Sequence, residues 1–173
     1  MHFKTIYFVA ALLFTTSLHA QQSLNLLDNS NHLTSIWARG EKSSSVYRND
    51  IRSVALRHFM NAYGEELNAE WNLTRFGYRA EFRKEEIKYL VDYDKGGYWL
   101  STIRIYTEKK MPRDIRRIVK SVYFDYNIEI VSEVNYGKHV AYHINIQDET
   151  SLKKLIVIDG EMTVEAEYTR ADR

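Results

Sequence analysis

Two histidines four residues apart, His139 and His143, have the first spacing in this 173-residue chain that could hold a metal ion. On a helix, that spacing puts both imidazoles on one face as a ligand pair. The neighbouring residues argue for a different backbone. Val140, Tyr142, Ile144 and Ile146 alternate with His139, Ala141, His143 and Asn145, which is the two-residue period of a strand. At ~3.3 Å per residue, side chains four positions apart on a strand are separated by about 13 Å. Two nitrogens that must each lie ~2.0–2.1 Å from one zinc ion cannot span that gap. Both histidines are therefore expected to face solvent, and no metal site is assigned. A metal or hydrolytic centre would have to combine His143 with carboxylates from neighbouring strands, and that is the alternative reading.

The second candidate is the stretch Val91-Asp92-Tyr93-Asp94-Lys95-Gly96-Gly97-Tyr98-Trp99. Its alternating aspartates and paired glycines resemble the start of a calcium loop. Counted from Asp92, however, positions 5, 9 and 12 are Gly96, Leu100 and Ile103, where oxygen ligands are required. The flanking runs are rich in aromatic and β-branched residues, so Asp and Gly between them read as a hairpin turn. Nucleophilic chemistry has no sequence support either. There is no cysteine, no G-x-S-x-G and no H-E-x-x-H. Glu129, Glu133, Glu165 and Glu167 alternate with apolar residues as a solvated strand face would. His58 lies on the apolar side of a helical pattern and reads as a buried, hydrogen-bonded core histidine. No catalytic residue and no cofactor is assigned.

The elements that would carry these residues follow from periodicity. Ile51, Val54, Ala55, His58, Phe59 and Ala62 mark one helical face, with Asn49 or Asp50 as cap and Gly64 as the stop. Four alternating stretches follow, at about 69–75, 77–84, 87–93 and 98–106. Met111-Pro112-Arg113-Asp114 opens a second helix, in which Pro fits the first turn and Asp114 favours the positive end of the dipole. Ile115, Ile118, Val119, Val122 and Tyr123 mark its face. Strands are then expected at about 127–136, 139–147, 152–159 and 161–168. Asp50-Ile51-Arg52 recurs as Asp114-Ile115-Arg116, and the Asp94 turn recurs at Asp159-Gly160. The same elements in the same order indicate tandem α-β4 repeats, the first about 49–107 and the second about 111–168. The expected class is α+β: an antiparallel sheet with two helices on one face and the other face open.

Composition bounds the setting. Lys4, the apolar run Ile6 to Phe14 and a polar exit ending at Ala20 have the layout of a secretory signal peptide, cleaved after Ala20. The run is about half of the ~20 residues of a membrane-spanning helix, so no span is expected after cleavage. Residues 21–48 read as a polar leader, and 49–170 as the folded domain. Removing 1–20 takes away one lysine, leaving 23 Lys plus Arg against 23 Asp plus Glu. That balance lacks the basic excess of a nucleic-acid binder.

The stretch 51–168 resembles the β-lactamase-inhibitor-like, PepSY-like domains of bacterial exported proteins. The residues that carry the resemblance begin with Phe59, Tyr63, Ala69-Glu70-Trp71, Tyr78, Ala80 and Phe82, followed by Tyr93-Asp94 with Gly97, and Met111-Pro112. In the second half they are Ile128, Val131, Val134, Tyr142, Ile144, Ile146 and Ile158-Asp159-Gly160. The resemblance implies tandem α-β4 units, a periplasmic or secreted location and no catalytic residues to carry over. Asn49-Asp50 departs from the Pro often found at the start of the first helix in that family.

A binding surface is the remaining candidate. Thirteen tyrosines are many for this length, and Tyr joins apolar area to a polar tip. By strict alternation Trp99, Ile103 and Ile105 share one face, and Tyr98, Leu100, Arg104 and Tyr106 the other. With the first set under the helices, the second would join Val131, His139 and His143 on the free face. The expected function is a non-enzymatic module that docks a protein or peptide of the envelope there. Self-association through an edge strand is a weaker option.

Overall fold

The computed structural model describes the backbone of residues 44–45, together with residues 50–64 and 68–169. The expected signal peptide, almost all of the leader and residue 170 lie outside the described residues. The elements run β1 (Ser44–Ser45), α1 (Ser53–Tyr63), β2 (Glu70–Leu73), β3 (Gly77–Lys84), β4 (Ile87–Asp94) and β5 (Trp99–Tyr106). After a 3₁₀ turn (Glu108–Lys110) come α2 (Arg113–Val122), β6 (Asn127–Tyr136), β7 (His139–Gln147), β8 (Ser151–Ile158) and β9 (Glu161–Thr169). The strands form one open sheet in sequence order, every neighbour antiparallel: eight full strands with the two-residue β1 at one edge. The class is α+β.

Local chemistry explains most boundaries. Pro112 precedes the first residue of α2, and Asp114 lies in its first turn, where its charge meets the positive helix end. Gly64 ends α1 with a positive φ of 79°, its N–H donating to the Met60 carbonyl at 2.9 Å. The start of α1 differs from expectation. Arg52 occupies the cap position without a side-chain cap bond, so Asp50 lies upstream of the helix. The buried face of α1 is also turned. Ala55 and Phe59 are buried with Leu56 and Tyr63 beside them, whereas Val54 is 39% exposed.

The β4–β5 hairpin accounts for its own aspartates. Asp94 accepts the Tyr98 N–H on its Oδ1 at 2.8 Å, and its carbonyl accepts the Gly97 N–H at 3.0 Å. Gly97 has φ +89°, and a Cβ there would meet the Ala55 nitrogen and Arg52 Cβ at 3.0 Å. The turn therefore packs against the start of α1. Asp92 points elsewhere: it takes a two-pronged ion pair from Arg79 at 2.7 and 3.1 Å.

Register shows that both helices lie on the same face. One row of paired residues crosses six strands as Phe82, Tyr89, Arg104, Glu133, Tyr142 and Val157. Helix α1 packs with Trp71, Ala80, Phe82, Val91 and Tyr93 at one end of this face. Helix α2 packs with Tyr106, Val131, Ile144, Ile146, Leu155 and Val157 at the other. Neither helix covers the opposite face. Its central row is Leu90, Ile103, Val134, Ala141 and Ile158, and within it Ile103, Val134 and Ala141 are no more than 3% exposed.

Strict alternation fails in three strands. Tyr93 pairs with Trp99 and Asp92 with Ser101, which leaves Leu100 as an extra residue in β5. Glu129 is the extra residue in β6, and Glu165 in β9. A bulge of this kind resets which face the following residues occupy. Trp99 lies on the helix side as expected. Beyond Leu100, however, it is Thr102, Arg104 and Tyr106 that share its face, while Ile103 and Ile105 fall on the other. The expected facing of β5 is thus inverted from Ser101 onward.

Candidate functional site

The two helices sit at opposite ends of their shared face and leave the middle of β5 and β6 between them. A cleft of about 480 Å³ opens there, lined by Tyr63, Tyr89, Trp99, Thr102, Arg104, Glu133, Asn135, the β6–β7 turn Gly137-Lys138, and His139 and Val140 at the start of β7. Its floor is polar, with Tyr63 of α1 reaching it only through its hydroxyl, and every buried polar group there needs a partner. Glu133, only 5% exposed, is the hub. Its Oε1 accepts Arg104 Nη1 at 2.9 Å and Asn135 Nδ2 at 3.0 Å, and its Oε2 accepts the Tyr106 hydroxyl at 2.7 Å. Thr102 Oγ1 accepts Trp99 Nε1 at 3.0 Å and shares a hydrogen bond with the Tyr63 hydroxyl at 2.9 Å.

The walls are aromatic. Tyr89 stacks on Phe82 with ring centroids 4.8 Å apart, and Tyr63, from the last turn of α1, packs against both. Trp99 stacks on His58 at 6.3 Å, and His58 Nδ1 shares a 3.1 Å hydrogen bond with Tyr93. His58 is thus hydrogen-bonded as expected but lies on the exposed side of α1, not in the core. Tyr136 and His139, a cross-strand pair on the other face, pack at 5.7 Å.

Burial sets the ionisation of these groups. Desolvation raises the pKa of Tyr63, Tyr93 and Tyr106, and Glu133 adds to the rise at Tyr106. Those hydroxyls therefore stay protonated donors well into the alkaline range. Burial works against the Arg104 charge, but Glu133, Tyr89 and Tyr106 together carry its pKa above the ordinary arginine value.

The residues expected to form one docking patch are divided among four surroundings. Arg104 lies in the cleft; His139 borders it but pairs with Tyr136, in phase with Val134 and Ala141, so its side chain belongs to the other face. Tyr106 and Val131 are 3% and 0% exposed under α2, because the bulge at Leu100 turns Tyr106 inward and Val131 pairs with it across the sheet. Tyr98 and Leu100 are exposed, at 67% and 43%, on either side of Trp99 in sequence. His143 lies on the face turned away from α1 and α2, opposite Ser132, largely desolvated, with its pKa lowered by burial. It is not the solvent-facing histidine expected. Glu133, expected on a solvated face, is the most enclosed carboxylate of the cleft. Sequence reasoning also passed over Tyr63, Tyr89, Thr102 and Asn135. A polar Thr102 and a charged Arg104 one alternation apart in a strand that also carries Trp99, Leu100, Ile103 and Ile105 were the available signal.

Comparison with solved structures finds the same architecture. A DUF2874 family protein from Bacteroides ovatus matches with a TM-score of 0.55 at 14% identity, over 69% of this chain and 87% of that one. A BLIP-like protein from Bacteroides fragilis gives 0.55 at 14% identity, over 70% and 89%. A protein from Bacteroides eggerthii, provisionally assigned to the periplasm, gives 0.54 at 13% identity, over 69% and 88%. The likeness is one of fold. No family model and no curated protein matches the sequence. Among the described residues, no helix is long and apolar enough to cross a membrane.

Proposed function

We propose that this chain is an exported, non-enzymatic binding module, inhibitor-like in that it docks a protein or peptide of the envelope instead of converting a substrate. The observation that carries the reading is the cleft between the helices. A module that only needed to bury its sheet would close that gap with apolar side chains. Here the gap is kept open by aromatic walls over a floor whose polar groups are paired with one another except at Arg104, whose Nε–H has no acceptor. Aromatic residues with arginine are the composition that anchors protein partners. We therefore assign docking to the cleft, with exposed Tyr98 and Leu100 beside Trp99, and not to the face turned away from α1 and α2.

Export is supported by the signal-peptide layout of residues 1–20 and by the provisional periplasmic assignment of the B. eggerthii protein. Each helix with its four following strands is read as one of two α-β4 repeats, so that the cleft lies at their junction. The test is capture from native envelope extract by the immobilised chain, with partners identified by mass spectrometry. A variant carrying Tyr98→Ala and Lys138→Glu, both at exposed positions, keeps the wild-type circular dichroism spectrum and loses the partner. Capture unchanged by these substitutions, or turnover of a substrate by the purified chain, refutes the proposal.

A further inference from the structure

Charge bookkeeping within the cleft says what a partner must bring to it. Three lining residues carry formal charge at neutral pH: Arg104 and Lys138 are positive and Glu133 is negative, so the lining is +1. The negative member is already occupied. Both Glu133 oxygens are engaged, by three donors from Arg104, Asn135 and Tyr106. The positive members are not. A guanidinium has five N–H donors. Arg104 commits one, through Nη1 to Glu133, and its enclosed Nε–H has no acceptor. Among the described residues Lys138 makes no ion pair. It sits on the exposed two-residue turn between β6 and β7.

We propose that the cleft receives a carboxylate, presented by an acidic side chain of the docked partner, with Arg104 donating from its uncommitted N–H groups, Lys138 supplying charge at the rim, and Tyr63, Tyr89 and Trp99 bracketing the aliphatic stem. This rests on the reading of the cleft as the docking site. A neutral ligand would leave the surplus donors unanswered, and a cationic one would meet a like charge. A carboxylate matches the planar fork of the guanidinium. Arg104 already stands 5.7 Å from the Tyr106 ring and is held by Glu133, so its head group is fixed before a partner arrives.

Three pentapeptides, each with one phenylalanine, test this on the ¹⁵N-labelled chain. The first is blocked at both ends and carries one glutamate. The second replaces it with glutamine. The third is the glutamine peptide with its C-terminal carboxylate free. The readouts are the Arg104 Nε–H and Trp99 indole N–H resonances. The glutamate peptide is expected to shift both saturably and to bind at least about tenfold more tightly than the glutamine peptide, the factor expected of a charged hydrogen-bond partner. Lys138→Gln, at an exposed turn, should weaken the glutamate peptide about threefold and leave the glutamine peptide unaffected. Equal affinity of the two blocked peptides overturns the carboxylate claim and leaves the cleft a docking site. Tighter binding of the free-terminus peptide overturns the assignment to a side chain. No shift of either resonance by any peptide at millimolar concentration overturns both this inference and the reading on which it rests.

Discussion

Replacing Tyr106 by Phe removes one oxygen from the middle of the sheet and isolates one link of the Glu133 network. The hydroxyl donates to Glu133 Oε2 at 2.7 Å from a residue 3% exposed. A hydrogen bond to a charged group contributes about 1.5–3 kcal/mol. Glu133 would keep two donors, Arg104 and Asn135, so the expected loss at pH 7.5 lies near the lower end, about 1.5 kcal/mol. Alkaline pH makes a second, sharper demand. The folded Tyr106 pKa is raised above the ordinary value of 10.0. Above pH 10 the unfolded chain therefore releases a proton that the folded chain retains, and stability falls with rising pH by about 1.4 kcal/mol per unit for each such tyrosine. The Phe variant has no such proton to lose. Its deficit should shrink by about 1 kcal/mol between pH 7.5 and pH 11. Urea unfolding followed by tryptophan fluorescence at the two pH values measures both numbers. A variant as stable as wild type at pH 7.5, or a deficit that does not change at pH 11, would refute the network as described.

Deleting Leu100 should leave the fold standing. The deletion removes the extra residue of β5 and keeps Trp99, Thr102, Arg104 and Tyr106 on the helix side, whereas deleting Ile103 reverses the face of one half of the strand against the other. Near-ultraviolet circular dichroism should be native-like for the first variant and lost for the second. At the β7–β8 turn, the Thr150 and Ser151 N–H groups donate to Asp148 Oδ1 at 2.7 and 2.6 Å. The Thr150 backbone bond first, against a smaller opposing contribution from burial, holds the carboxyl well below its ordinary 3.8. Its folded pKa is depressed, so its stabilising effect is present above about pH 4 and is lost as pH falls below that. Asp148→Asn should flatten the acid limb of a thermal-stability profile between pH 4 and pH 2, and an unchanged limb would argue against this role.

The order and edges of the eight long strands were legible in the sequence, because period-two patterning and the Asp-Gly turns are local signals. β3, β6 and β7 match the expected spans residue for residue. Pro112 marked the start of α2 for the same reason. What was not legible was the facing of β5. A bulge is decided by the pairing partner, and nothing in Trp99-Leu100-Ser101 distinguishes an extra residue from an alternating one. From that single residue follow the burial of Tyr106 and Val131 and the inward turn of Arg104. The cleft was hidden for a different reason. It exists because α1 and α2 stop short of each other over β5 and β6, a matter of helix placement that neither helix encodes alone. Glu133 read as a surface carboxylate because its three donors come from positions 2, 27 and 29 residues away.

The unpaired residues Leu100, Glu129 and Glu165 give the sheet an odd grammar. In a saturation mutagenesis profile, the every-other-residue rhythm of sensitive positions should slip phase by one at each of these three sites, and only there within their strands. Aligning a distant relative across β5, β6 or β9 by hydrophobic rhythm alone would then misassign every position beyond the slip, so a one-residue gap at 100, 129 or 165 is where such an alignment should open.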